Sequence, residues 1–238
     1  MYMNKSFLAI IPARSGSKGI VDKNIKEMND KPLMAYTIES CIRSKIFEDI
    51  IVSTDSKKYA KIAEKFGASV PFLRPKELST DTASNHDVIL HVLDKMKKIG
   101  KYYDYTVLLQ PTSPLRNENH ILESVDKLLS FNANSVVGMC EVDYPSGINV
   151  ILDSNMRLDF LFDDSKNRRR QDIKREYRIN GAIYICRTSY FLKYKSFYKE
   201  KSYPYIMDKI SSIDIDDMYQ FEFAKFILKN HSFLKGEI

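Results

Sequence analysis

The chain has 238 residues, 44% of them hydrophobic, enough for one large α/β domain, or one domain carrying a sizeable insertion, with a full core. Its formal net charge of +6 points to anionic partners, with nucleic acid, acidic sugars and nucleotides all satisfying the balance. Cys41, Cys140 and Cys186 lack any C-x-x-C spacing and the four histidines are scattered, which argues against a disulfide framework or a zinc site; no run is long enough for a signal sequence or a membrane span, so a soluble cytoplasmic protein is expected.

Taken in chain order, Phe7–Ile11 reads as a buried strand. Pro32 suits the first turn of a helix to about Lys45, with Leu33, Thr37, Ile38, Cys41 and Ile42 on one face. Asp49–Ser53 is a β-branched strand, and Ser56–Phe66 an amphipathic helix that Gly67 ends. Asn85–Ile99 places Val88, Val92, Leu93 and Met96 along one stripe. Thr106–Leu109 is a short strand stopped by Pro111 and Pro114; a helix over Glu118–Phe131 and a strand over Ser135–Cys140 follow. From Val142 to Arg178 the rhythm breaks into a polar excursion, after which Gly181–Arg187 restores a strand and Met218–Lys229 closes with a helix. This alternation predicts a single Rossmann-like α/β domain over 1–238, a mostly parallel sheet flanked by helices. Ligands bind such sheets beyond the carboxyl ends of the strands, so the loops after Ile11, Ser53 and Leu109 should share one edge.

The loop after the first strand, Pro12-Ala13-Arg14-Ser15-Gly16-Ser17-Lys18-Gly19, with Lys23-Asn24 behind it, combines small residues with three cations. Small residues let backbone N–H groups approach an anion, and Arg14, Lys18 and Lys23 add charge of the kind a triphosphate requires. It is neither a Walker A loop nor a G-x-G-x-x-G fingerprint, and a surface turn with incidental lysines has a similar appearance. Leu78–Asn85 precedes a helix, where Ser84 or Asn85 could serve as an N-cap or the segment could face a base or ribose. Gln110, at the proline-stiffened end of a strand, offers both donor and acceptor at the ligand edge. Ile213-Asp214-Ile215-Asp216 alternates; as a strand it would point both carboxylates one way, toward a cation such as Mg²⁺ or toward solvent. The basic run Lys166–Arg170 fits a solvated surface, a nucleic-acid contact or a carboxylate clamp.

Six blocks in order, IIPARSGSKGI with KN after it, IIVSTD, LRPKELSTDTAS, LLQPTSPLR, INGAIYI and SIDID, resemble the N-acylneuraminate cytidylyltransferases, in their short bacterial form, and span nearly the whole chain. The resemblance implies a nucleotide-diphospho-sugar transferase-like fold, and a cytidylyltransferase that couples CTP to a nine-carbon 2-keto sugar acid, sialic or legionaminic in type. It assigns catalysis to Arg14, Lys18, Lys23, Asp214 and Asp216, and Mg²⁺ binding to the two aspartates. It places Ala13, Ser17, Asn24, Arg74, Ala83, Ser84 and Asn85 around the nucleotide, although the family usually has serine where Asn85 stands. It puts Gln110, Thr112, Arg170, Asn180 and Tyr184 on the sugar side, with Arg170 on the sugar carboxylate. Phe197 and Tyr198 would reach the pocket of a partner subunit, which makes the protein a homodimer with 142–178 contributing to the interface and the sugar site; neither nucleic acid nor membrane is expected as a partner. A family lysine is missing near Pro145-Ser146-Gly147, which bears on the choice of sugar. The alternatives are a cytidylyltransferase for 3-deoxy-manno-octulosonate and a non-catalytic nucleotide- or RNA-binding α/β module.

Overall fold

A computed structural model describes residues 2–144, 154–155 and 175–230. Six strands form the main sheet in the order β4-β1-β5-β7-β6-β8. β1 (Phe7–Pro12) lies between β4 (Asp49–Ser53) and β5 (Tyr105–Leu108), parallel to both. β6 (Ser135–Glu141) and β8 (Ser202–Ile206) are also parallel to each other, whereas β7 (Tyr177–Arg187) runs antiparallel to β5 and β6. A two-stranded ribbon of β2 (Glu27–Met28) and β3 (Lys31–Pro32) precedes the first helix.

β1 shows why two layers of helix are needed. Its side chains alternate between faces. Phe7, Ala9 and Ile11 join one buried cluster with Met34 and Ile38 of α1 (Leu33–Ser44) and Val125 and Leu128 of α4 (Glu118–Ser130). Leu8 and Ile10 join another with Ile89, Val92 and Met96 of α3 (Asn85–Lys98) and Phe191 of α5 (Thr188–Tyr194). Of the expected α1 face, Ile42 is the exception: it is exposed, its methyl lying against Gly67 beyond α2 (Lys57–Lys65). A third cluster packs Phe221 and Ile227 of α6 (Met218–Lys229) against Leu33, Leu115 and Ile215. That cluster anchors the acidic segment before α6.

The parallel strands β4, β1 and β5 send their carboxyl ends to one edge. Ala13 N–H bonds to Ser53 O at 2.9 Å and Leu109 N–H to Ile10 O at 3.0 Å, so the three following loops start side by side. Because β7 runs the other way, it is the beginning of that strand that approaches this edge: residue 184 pairs with 108 at the end of β5. Ile213–Asp216 is not a strand but an irregular segment, pinned by Ile215 N–H to Thr112 O at 2.9 Å.

Candidate active site

The loop after β1 is held open by its neighbours. Asp55 accepts from Ser15 N–H at 2.8 Å and from the Ser15 hydroxyl at 2.7 Å. Burial alone would raise the Asp55 pKa, but these donors and the nearby Arg74 guanidinium leave it below the usual carboxylate range. Asn24 is largely buried and donates to Arg14 O at 3.0 Å, bracing the loop from inside, and it also lines the cleft. Gly16 turns at φ +70°, a conformation that favours glycine. What results is a cleft of about 330 Å³ lined by Arg14, Ser17, Lys18, Lys23, Arg74 and, from the other loops, Ala83, Asn85, Gln110, Thr112 and Asp216.

Across the cleft lies the acidic corner. Lys23 Nζ donates to Ile215 O at 2.6 Å and stands 3.9 Å from Asp216 Oδ1. Burial lowers the Lys23 pKa, opposed by Asp216 and Asp214. Asp214 is largely buried and its pKa is raised, first by burial and then by Asp216, with Thr112 opposing through a hydrogen bond. Its Oδ1 has no hydrogen-bond partner among the described residues, an unstable situation for a carboxylate unless something cationic completes it. Asp216 is exposed beside it. Two carboxylates, one with an orphaned oxygen, form a hard-oxygen donor set that suits Mg²⁺, which needs only one or two protein carboxylates and fills its other positions with water and phosphate. Gly181, at φ +78°, sits against this corner: a Cβ there would lie 3.0 Å from Asp214 Oδ2 and 3.1 Å from Gln110 Oε1.

Several expected site residues have other work. Ala13 is fully buried, and Ser84 caps α3, accepting from Asp87 N–H at 3.1 Å. Arg74 lines the cleft but spends its donors on Ser53 O, Ser53 Oγ at 3.0 Å and Leu78 O at 3.4 Å, a strut between β4 and the following turn. Asn180 is buried and fully engaged with Ser212 Oγ at 2.9 Å, Met207 Sδ at 3.1 Å and Ala182 N–H at 3.1 Å. Tyr184 packs on Phe197 with ring centroids 5.2 Å apart. Phe197 corrects the expectation of a partner-subunit contact: it is 2% exposed and packed in its own chain against Tyr184 and Phe191. An aromatic ring sequestered in one core cannot fill another subunit's pocket. Tyr198, half exposed beside the buried Phe197, has a free face. Arg170, with the Lys166–Arg170 run and Pro145-Ser146-Gly147, lies outside the described residues.

The cytidylyltransferase family pattern matches residues 8–237. The chain belongs to that family. Among its relatives, an N-acylneuraminate cytidylyltransferase of Escherichia coli O18:K1:H7 is 45% identical over 93% of this chain and 52% of its own length. A CMP-N,N'-diacetyllegionaminic acid synthase of Legionella pneumophila is 38% identical over 88% of this chain and 90% of its own. A pseudaminic acid cytidylyltransferase of Campylobacter jejuni is 34% identical over 94% and 97%. This chain thus spans about half the length of some curated relatives and nearly all of others. Of solved structures, a CMP:2-keto-3-deoxy-manno-octonic acid synthetase complexed with CTP superposes with a TM-score of 0.72 at 14% identity, covering 95% of this chain and 99% of that one. A 4-diphosphocytidyl-2C-methyl-D-erythritol synthase from Anaerococcus prevotii gives 0.61 at 17%, covering 94% and 99%. Both show the shared fold.

On this cytidylyltransferase scaffold, three residues that motif reading passed over sit at the centre of the geometry. Asp55 fixes Ser15, Gly181 leaves room beside Asp214, and Asp81 bridges Arg14 and Lys18. Each lay inside a recognised block, but its part depends on a through-space neighbour 33 to 67 positions away, which linear spacing does not reveal. Among the described residues, no helix is long and apolar enough to cross a membrane.

Proposed function

We propose that this protein transfers a cytidylyl group from CTP to the anomeric hydroxyl of a nine-carbon 2-keto sugar acid, sialic or legionaminic in type, and releases pyrophosphate. The observation that carries this reading is the convergence of Arg14, Lys18 and Lys23 on one cleft with the Asp214–Asp216 corner opposite. The sugar class is supported by the names of the relatives, which are synthetases or cytidylyltransferases for N-acylneuraminate, diacetyllegionaminic and pseudaminic acids.

The reaction is in-line displacement at the α-phosphorus: the bond from the sugar oxygen forms as the α–β bridging bond breaks, with the electron pair leaving on pyrophosphate. Arg14 and Lys18 offset the charge on the departing phosphates. Lys23, already desolvated and held by Ile215 O, keeps its ammonium at the boundary between phosphate and acidic corner. Asp214 and Asp216 would hold Mg²⁺, which when bound neutralises phosphate oxygens and acidifies the attacking hydroxyl. Gln110 and Thr112 orient the sugar from the β5 loop, and Arg170 takes its carboxylate. We further propose that the protein works as a homodimer in the cytoplasm.

Pyrophosphate release tests the reading, with CTP, Mg²⁺ and N-acetylneuraminic, diacetyllegionaminic, pseudaminic and octulosonic acids as a panel. Release with one of the first three supports it and names the sugar. Release with octulosonic acid alone moves the chain to the eight-carbon reaction. Silence with all four, together with a salt-sensitive RNA gel shift, replaces the enzyme with a binding module.

A further inference from the structure

Two cations of the cleft, Arg14 and Lys18, already share one carboxylate. One Asp81 oxygen, Oδ1, lies 2.5 Å from Arg14 Nη2, and the other, Oδ2, lies 2.6 Å from Lys18 Nζ. Lys18 has an 82% exposed side chain, and Asp81 is its one ion-pair partner among the described residues. Asp81 itself lines the cleft and sits in the irregular stretch between the turn at Lys76–Leu78 and α3, where Ala83 N–H closes on Thr80 O at 3.3 Å. The helix start behind it is fixed independently, because Ser84 caps α3 through Asp87. The 80–83 turn can therefore reposition its carboxylate without unravelling the helix.

Resting on the proposed phosphate site, we propose that Asp81 is an exchangeable resident anion: it holds Arg14 and Lys18 in the free protein, yields them to the polyphosphate of the substrate, and reclaims them as pyrophosphate leaves. One carboxylate spanning two cations occupies the bridging position that a polyphosphate would take with more charge and more acceptor oxygens. A multiply charged polyphosphate displaces it, whereas the departing product must compete with it. The same turn contributes Thr80 and Ala83 to the cleft wall, so the exchange also touches the surface that would meet the nucleoside. In this role Asp81 takes no part in bond making. It sets how firmly phosphates are retained.

A purely architectural Asp81, needed to position the two cations in every state, makes the opposite prediction. The test is calorimetric titration of inorganic pyrophosphate into wild type, Asp81→Asn, Asp81→Ala, Lys18→Ala and Asp81→Asn/Lys18→Ala at fixed ionic strength. Freeing two exposed ion pairs should tighten pyrophosphate binding about three- to tenfold in both Asp81 variants, and much of that gain should vanish in the Lys18→Ala background. Product inhibition by pyrophosphate should tighten in parallel. Unchanged or weaker binding in both Asp81 variants, with wild-type binding intact and lost in Lys18→Ala, overturns the exchange while leaving the phosphate site standing. No pyrophosphate binding by wild type removes the site and this role with it.

Discussion

Lys23 combines burial, charge and a short hydrogen bond in a single side chain. Burial lowers the pKa of this lysine, and the facing Asp216 carboxylate opposes that shift while Ile215 O takes a hydrogen bond from its ammonium. Replacing it with alanine should lower turnover by about 10²-fold or more, as removal of one preorganised donor does, while the fold persists; steady-state turnover beside a thermal melt checks both. Gly181 is the complementary case. At φ +78° an alanine is strained, and its Cβ would press on Asp214 and Gln110 together. Gly181→Ala should cost about 1 kcal/mol or more of stability and reduce activity further than that loss explains, which urea unfolding beside kinetics would separate. The chemical type of Lys23 was visible in its motif. The need for glycine at 181 was not, since it arises from the positive φ there and from Asp214 and Gln110, both distant in the chain.

At the scale of elements, two loops on the sheet edge are fastened by one carboxylate. Asp55 follows β4 and holds Ser15 after β1 through two hydrogen bonds. Its folded pKa lies below the unfolded one, so its stabilisation is complete above the unfolded value of about 3.9 and is lost as pH falls through the lower folded value. Asp55→Asn should therefore be less stable than wild type at pH 7, by about 1 kcal/mol after allowance for partial exposure. That gap should close in unfolding experiments carried progressively below pH 4; a gap that persists would mean the hydrogen bonds do not require the charge. The sequence displayed elements of this kind well where local chemistry decides. Ser56 caps α2, Gly67 follows its end at φ +92°, and α6 falls on its expected residues. It concealed β8, whose Pro204 argues against a strand and is tolerated because β8 is an edge. The antiparallel course of β7 was equally hidden, because alternation alone does not encode direction. So was the irregular path of Ile213–Asp216, whose alternating pattern comes from Ile215 entering the α6 cluster rather than from a pleat.

For the whole molecule, the asymmetry of the sheet bears on assembly. The β4-β1-β5 side is covered by helices on both faces, and the cleft opens at its edge. On the far side, register places Ile179 of β7 and Ile206 of β8 on either flank of Met139 of β6, three apolar residues in one row. Ile179 and Ile206 are 43% and 45% exposed, and half-exposed Tyr198 lies beside Ile179 and Met139. Burying such a row releases about 25 cal/mol for each Å² of apolar surface, and an isologous dimer would bury it on both protomers at once. Pro204 denies the β8 edge a regular ladder of hydrogen bonds, so association by the face is favoured over extension of the sheet. The proposed homodimer should accordingly depend on this row: Ile206→Asp or Ile179→Asp should convert it to a monomer of 27.7 kDa in sedimentation velocity, while a charge at exposed Tyr102, in the loop before β5 and outside this row, should not. A wild-type protein that sediments as a monomer at micromolar concentration would remove the dimer, and a dimer indifferent to both aspartates would move its interface off this face. Because Phe197 is committed to its own core, Tyr198 is the member of that aromatic pair free to contribute across the interface. Tyr198→Ala should then leave the dimer intact and weaken sugar use, raising KM for the sugar acid with little change in KM for CTP.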